Sequence, residues 1–180
     1  MTADEARKKI QDIQGWISSS EADFLFNSNL GLNENSLIVD LGTANGYSAA
    51  LLGCLGCKII TIDNYKDKSQ SRYTIQELKE QEIFKELQNI EFIEGESIEV
   101  AKTFEDESID LIFIDADHSF QAVKTDIEAW LPKLKRKGKM FFHDYESYPD
   151  VALAVNEAFE NGLLEKHGQI ESMLYTTKPK

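Results

Sequence analysis

Short apolar runs ending in an acid recur along this chain, each followed by a stretch of helical spacing. Residues 37–41 read Leu-Ile-Val-Asp-Leu and predict a buried strand, with a helix over 47–55. A second run, 58–62, ends at Asp63, and a helix is expected between about 71 and 87. A third, 90–93, leads into Glu94-Gly95-Glu96-Ser97 and a short helix to Phe104. A fourth, 111–114, ends in Asp115-Ala116-Asp117-His118. Phe120, Val123, Ile127 and Leu131 then share a helical face, with Pro132 near its end. A fifth, 139–142, ends in His143-Asp144-Tyr145, and Val151, Val155 and Phe159 mark the next helix. Residues 163–166 and 170–176 read as a closing hairpin around Gly168.

Ahead of the first strand the period is helical. Residues 3–14 place Ala6, Ile10 and Ile13 on one face, and Gly15-Trp16-Ile17 interrupts them. Ser18 to Ser20 offer N-caps for a second helix carrying Phe24, Leu25 and Phe26, followed by a polar loop over 27–36. Strand and helix patterns then alternate, which predicts an α/β fold: a parallel sheet with helices on both faces and an antiparallel hairpin strand at its edge. With 180 residues, no repeat and no low-complexity linker, one domain is expected over 1–180: a helical segment 1–30 and a core 37–176.

The loop after the first strand carries the strongest chemical signal. It reads Asp40-x-Gly42-x-x-x-Gly46 and opens the next helix at Tyr47-Ser48. Glycines there permit positive φ and let a ligand approach without a Cβ in the way, and the first helical amides can hold an anion. The spacing is not the Gly-x-Gly-x-x-Gly of a dinucleotide site, since Ala44 stands where a middle glycine would be. An acid directly before the loop would repel a pyrophosphate and suits a cationic or hydroxylated ligand. S-adenosylmethionine has a ribose, an ammonium, a sulfonium and one carboxylate.

Composition narrows the partners. Hydrophobic residues make up 42% and charged residues 28%, as in an ordinary globular protein. The 19 Lys+Arg against 32 Asp+Glu leave a net charge of -13, which disfavours nucleic acid and anionic lipid surfaces. The dense basic run at 133–139 reads as a solvated turn. A small neutral or cationic acceptor is the expected partner. No apolar run suits a membrane span or a signal peptide, and the two cysteines make no disulfide framework, so cytoplasmic residence is expected. Cys54-Leu55-Gly56-Cys57 lies where a helix ends, not where one begins, and reads as two reduced thiols.

In open α/β sheets ligands bind outside the carboxyl ends of the strands. Asp40, Asp63, Glu96, Asp115 and Asp144 all fall at or just past such ends. Five acids on one rim need cations or protons to coexist. If the fourth and fifth strands are neighbours, Asp115, His143 and Asp144 form a carboxylate-rich cluster with one imidazole. Such a site suits Mg²⁺, Ca²⁺ or Mn²⁺ better than structural zinc.

These motifs resemble the class I S-adenosylmethionine-dependent methyltransferases, whose first motif is an acid-x-Gly-x-x-x-Gly turn. Gly15-Trp16-Ile17-Ser18 with Glu21, the Asp115-to-His118 run, Trp130-Leu131-Pro132 and His143-Asp144-Tyr145 are similar to a small bacterial O-methyltransferase branch. That branch resembles the macrolide-sugar and catechol-type enzymes and the cephalosporin-hydroxylase-like proteins, and the likeness covers nearly the whole chain. It implies a doubly wound Rossmann-like sheet of order 3-2-1-4-5-7-6. It implies S-adenosylmethionine held by Asp40, Gly42, Gly46, Ser48, Asp63, Glu96, Ser97 and Asp115. Asp63 would accept the ribose hydroxyls, and Glu96 or Ser97 would meet the adenine amine, Ser97 also being a candidate N-cap. Tyr65 either stacks on the adenine or covers the core edge.

The resemblance further implies Asp115 and Asp144 as ligands of Mg²⁺ or Mn²⁺ with His143 beside them, and His118 with Asp115 as the catalytic pair. His118 would take the proton of an acceptor hydroxyl. The chain departs from metal-dependent relatives in having His143-Asp144 after the fifth strand, where Asp-Asn or Glu-Asp is common. In a metal-free reading Asp115 binds the cofactor's ammonium and His143 pairs with Asp117. The expected activity is therefore O-methylation of a small molecule. The rivals are an NAD(P)-binding oxidoreductase and a cofactor-binding module without turnover. The acceptor pocket is completed by residues 1–30, by 65–73 or by a second protomer in a homodimer.

Overall fold

Strand β1 (Leu37–Leu41) lies in the middle of the sheet, and all its residues but the first are buried. It pairs in parallel with β2 (Lys58–Asp63) on one side and with β4 (Ile109–Ile114) on the other. β3 (Ile90–Glu94) adds to β2, and β5 (Leu134–Phe142) adds to β4, again in parallel. β7 (Met173–Thr177) runs antiparallel to both β5 and β6 (Glu165–Ile170). The seven strands follow the order β3-β2-β1-β4-β5-β7-β6, as the resemblance implies. This computed structural model describes residues 1–66 and 71–179, so of the proposed acceptor wall at 65–73, residues 67–70 lie outside the described residues.

Alternation along each strand splits the core in two. Ile38, Ile59, Phe113 and Phe141 face helices α1 (Ala3–Lys9), α2 (Ser19–Asn27), α3 (Tyr47–Gly53), α4 (Ile75–Glu80) and α5 (Glu82–Glu86). Val39, Ile60, Ile112 and Phe142 face α6 (Ser97–Ala101), α7 (Phe120–Trp130) and α8 (Pro149–Glu160). Among the described residues, no helix is long and apolar enough to cross a membrane.

Four elements differ from the sequence reading. α1 stops at Lys9, and Ile10 and Ile13 are buried from a turn, where Ile13 N donates to Ile10 O. The helix expected between about 71 and 87 is broken at Gln81, whose ψ of 140° is extended. Leu78 and Phe84 are both buried, and six residues apart on one straight helix they would point to different faces. β5 begins at Leu134, so the basic run lies within a strand and not in a turn. The closing hairpin turns at Glu171 and Ser172, while Gly168 sits inside β6 against the ring of Phe24.

Candidate active site at the carboxyl rim

Two glycines let the loop pack closely on neighbouring elements. Gly42 has φ +97°, and a Cβ there would lie 1.9 Å from the carbonyl oxygen of Asp115. Gly46 has φ +85°, and a Cβ there would lie 2.5 Å from the ring of Phe84 in α5. Gly42 thus lets the β1 loop and Asp115 touch.

Asp40 and Ser48 lie beneath that loop. The Asp40 carboxylate is fully buried, and its Oδ2 accepts from Thr61 Oγ1 at 2.7 Å and from Ser48 Oγ at 3.1 Å. Thr43 and Thr61 hydroxyls lie 2.7 Å apart and extend the chain of bonds. Asp40 Oδ1 is buried with no partner among the described residues. Burial pushes this carboxyl up to about 7, against the pull of Thr61 and Ser48. Asp63 braces the loop from above. Its two oxygens accept from Ala44 N at 2.9 Å and from Tyr65 N at 2.7 Å. Tyr65 packs on the core edge with its hydroxyl buried.

Ser97 and Glu96 part company. The Ser97 hydroxyl donates to Asp126 Oδ1 at 2.6 Å and accepts from Trp130 Nε1 at 2.7 Å. It is thereby turned toward α7. The reason is that Asp126 and the Trp130 indole are both buried and need partners. Nor does Ser97 cap α6, whose N-cap is Glu96. Glu96 is exposed beside Asn64 and Lys66, and the lysine holds its carboxyl below the usual range.

The four residues past β4 and β5 converge. Ile114 and Phe142 are register partners, so Asp115 and His143 leave adjacent strands side by side. His143 Nδ1 lies 3.2 Å from Asp115 Oδ1 and 3.4 Å from Asp144 Oδ2. Its Nε2 lies 3.3 Å from Glu21 Oε2. His118 Nε2 lies 3.2 Å from Asp144 Oδ2 and 3.7 Å from Asp115 Oδ1, close enough for ion pairing but off line for a directed hydrogen bond. Asp144 holds its place with φ +59°.

The electrostatics follow from this geometry. Burial disfavours a charged His143, but Asp115 and Asp144 outweigh it and push the ring up to about 11. Asp115 and Asp144 push His118 up to about 9. Burial opposes charge on both acids, yet the two imidazoles hold each carboxyl below its ordinary range.

Both nitrogens of His143 face carboxylate oxygens in this arrangement. The donor atoms that lie within 4.8 Å of one another belong to Asp115, His118 and Asp144. Asp117 accepts from Ser119 N at 2.7 Å and belongs to the entry of α7, not to His143. Two members escaped the sequence reading. Glu21 was legible as the third helical residue of a Ser18 capping box, but its histidine partner is 122 residues away. Tyr148 stacks on the His118 ring with centroids 4.2 Å apart.

Part of the basic run is paired with acids. Lys133, Lys135 and Arg136 pair with Asp106, Asp110 and Glu107 across the β4–β5 end of the sheet.

A family model described as a methyltransferase domain matches residues 39–145, more than half of the chain, from within β1 to Tyr145. The chain belongs to this methyltransferase family.

Among curated relatives, the methyltransferase chain is 29% identical over 118 residues to the uncharacterized protein y4gI of Sinorhizobium fredii (strain NBRC 101917 / NGR234). The match covers 61% of the chain and 13% of that protein, so the chain spans a small part of the relative's length. Among solved structures it is similar to a candidate caffeoyl-CoA O-methyltransferase from Staphylococcus aureus, with TM-score 0.71 and 18% identity over 99% of this chain and 93% of that one. The SAH-bound methyltransferase PaMTH1 of Podospora anserina gives TM-score 0.68 and 16% identity over 99% and 86%. MycE, from the mycinamycin biosynthetic pathway and in complex with Mg, SAH and mycinamycin VI, gives 0.67 and 13% over 99% and 54%. These likenesses establish the Rossmann-like methyltransferase fold.

Proposed function

We propose that this chain is an S-adenosylmethionine-dependent methyltransferase acting on a hydroxyl of a small molecule. The observation that carries the reading is the contact between Gly42 and Asp115. It sets the family's cofactor loop directly against the Asp115, His118 and Asp144 cluster. The residues fit the cofactor in one further respect: Asp40 keeps a buried oxygen with no partner, an acceptor suited to a cationic group. When bound, S-adenosylmethionine supplies an electrophilic methyl whose departure leaves a neutral thioether.

The chain's own groups would do the rest. Asp63, at the tip of β2, faces the loop and would accept ribose hydroxyls beyond the two amides it already holds. His118 would take the acceptor's proton at Nε2. It can do so only when Asp115 and Asp144 are engaged elsewhere, because both raise its hold on its own proton. Asp115 and Asp144 would hold a divalent cation beside His118, whose Nε2 stays free to act as the base. Such an ion, Mg²⁺ or Mn²⁺, would polarise the hydroxyl and lower its pKa. The net charge of -13 and the acidic rim favour a neutral or cationic acceptor. Segment 1–30 and core 37–176 are read as one working unit, supported by the bonds from Ser18 to Glu171 and from Glu21 to Ser172.

The test is calorimetric titration with S-adenosylhomocysteine, with and without Mg²⁺ or Mn²⁺. Binding that a metal strengthens supports the whole reading. Binding indifferent to metal leaves the methyltransferase and removes the cation. No binding under any condition refutes the proposal. An Asp115→Asn chain should keep its fold and lose methyl transfer from labelled S-adenosylmethionine to whichever acceptor a hydroxyl panel reveals.

A further inference from the structure

Among the described residues three helices begin with a capping box, and one of the three is unlike the others. Thr2 with Glu5 caps α1, Ser18 with Glu21 caps α2, and Thr74 with Glu77 caps α4. The Glu5 and Glu77 boxes are exposed, as a cap needs no more than water on its outer side. Glu21 is only 4% exposed. Burying a carboxylate is costly unless it is paired, so capping alone does not account for its place.

Its partners lie far along the chain. Oε2 accepts from Ser18 N at 3.0 Å, which is the cap, and lies 3.3 Å from His143 Nε2. Oε1 accepts from Ser172 N at 3.1 Å, in the turn between β6 and β7. One carboxylate therefore ties the start of α2, the last hairpin and the end of β5. His143, itself 5% exposed, passes the constraint on through Nδ1 to Asp115 and Asp144. Both ring nitrogens face carboxylate oxygens, and each contact is attractive only with a hydrogen on that nitrogen.

We propose that Glu21 is a positioning residue: it turns the His143 ring so that the ring gathers Asp115 and Asp144 at one point of the rim. The proposal rests on the reading of those two acids as the working groups of the site. It makes the N-terminal helical segment a part of the active site through Glu21. Asp115 leaves β4 and Asp144 follows β5 with a strained backbone, and His143 contacts both acids from the buried side, as His118 does through Nε2.

The chemistry of the capping box supplies a clean test. Glutamine serves as well as glutamate at the third helical position, so Glu21→Gln keeps the cap while removing the charge that faces His143. Ser18→Ala does the reverse. The readout is the ring N–H signals in ¹⁵N–¹H spectra of the full chain. The three histidines are assigned through His118→Gln and His167→Gln. The wild-type chain should show both His143 ring protons protected from exchange. Glu21→Gln should lose that protection and shift the side-chain carboxyl ¹³C signals of Asp115 and Asp144, whereas Ser18→Ala should leave all of these in place.

Three results would overturn the proposal: unprotected His143 protons in the wild type, unchanged signals in Glu21→Gln, or equal losses in Ser18→Ala. If the glutamine chain does not fold, Glu21→Asp replaces it. The shortened acid should then shift both ring signals and both carboxyl signals, and an unmoved spectrum refutes the idea. None of these readouts needs a cofactor. A wild-type chain that fails to bind S-adenosylhomocysteine would sink the functional reading and leave the Glu21 result standing.

Discussion

The imidazole of His118 lies nearly face to face with the ring of Tyr148, the planes 21° from parallel. Tyr148 is the N-cap residue of α8, so the entry of that helix presents its ring to the site. A protonated imidazole gains from such a ring electrostatically as well as by contact. Tyr148→Phe should therefore keep the stack and leave both stability and the His118 ring shifts near wild type. Tyr148→Ala should cost about 1 kcal/mol, seen as a fall of roughly 2–4 °C in melting temperature, and should move the His118 ring signals downfield. An alanine chain with unmoved His118 signals would show that the stack does not hold in solution.

The Ser97 hydroxyl is held by Asp126 and Trp130 of α7. Ser97→Ala leaves the Trp130 indole N–H and one Asp126 oxygen without partners. The loss should be about 1–3 kcal/mol in urea unfolding. Affinity for S-adenosylhomocysteine should stay as it was. A tenfold weakening, about 1.4 kcal/mol, would return Ser97 to the cofactor site.

Gly42 and Gly56 both have positive φ, but they differ in what lies beside them. A Cβ at Gly42 meets the Asp115 carbonyl, and one at Gly56 meets nothing within 4 Å. Gly56→Ala should cost about 1–2 kcal/mol from backbone strain alone. Gly42→Ala should cost more, about 3 kcal/mol or above, because two strand ends must part. Comparable losses in urea titrations of the two chains would contradict the close approach of Asp115.

Asp40 makes stability depend on pH in an unusual direction. Its folded carboxyl titrates at about 7, above its ordinary value of 3.8. The folded chain therefore binds more protons than the unfolded chain between those values, and stability falls as pH rises through that window. Asp126, pushed by burial up to about 6, acts in the same sense. Asp115 and Asp144 act in the opposite sense and lose their contribution only as the medium becomes more acidic than their ordinary range. Melting temperature should thus decline from about pH 4.5 to pH 7.5, and Asp40→Asn should flatten that decline. An identical slope in the asparagine chain would rule Asp40 out as its source.

Much of the site was legible before any coordinates. Asp63, Asp115 and Asp144 were placed at the rim because each follows an apolar run, and parallel strands all end on one side. His118 came with Asp115 because three residues separate them. His143 was expected beside Asp115 and Asp144, and it lies beside both. The sequence shows that it neighbours Asp144, not that Glu21 occupies its other nitrogen from a helix 122 residues earlier. The β5 start was misplaced because charged residues at 133–137 disguise a strand whose outer residues pair with acids near β4.

The sequence by itself determined the order of the elements, the alternation that splits the core across the sheet, and the loop spacing that marks this family. These are local periodicities, set by covalent geometry and by which side chains avoid water. Only the tertiary structure decided where each polar atom points. Ser97 turns to Asp126, Asp40 turns beneath its loop, and His143 is held between Glu21 and the rim acids, because a buried donor or acceptor takes the partner that packing brings to it. Those partners come from other elements, so neither spacing nor residue type can name them.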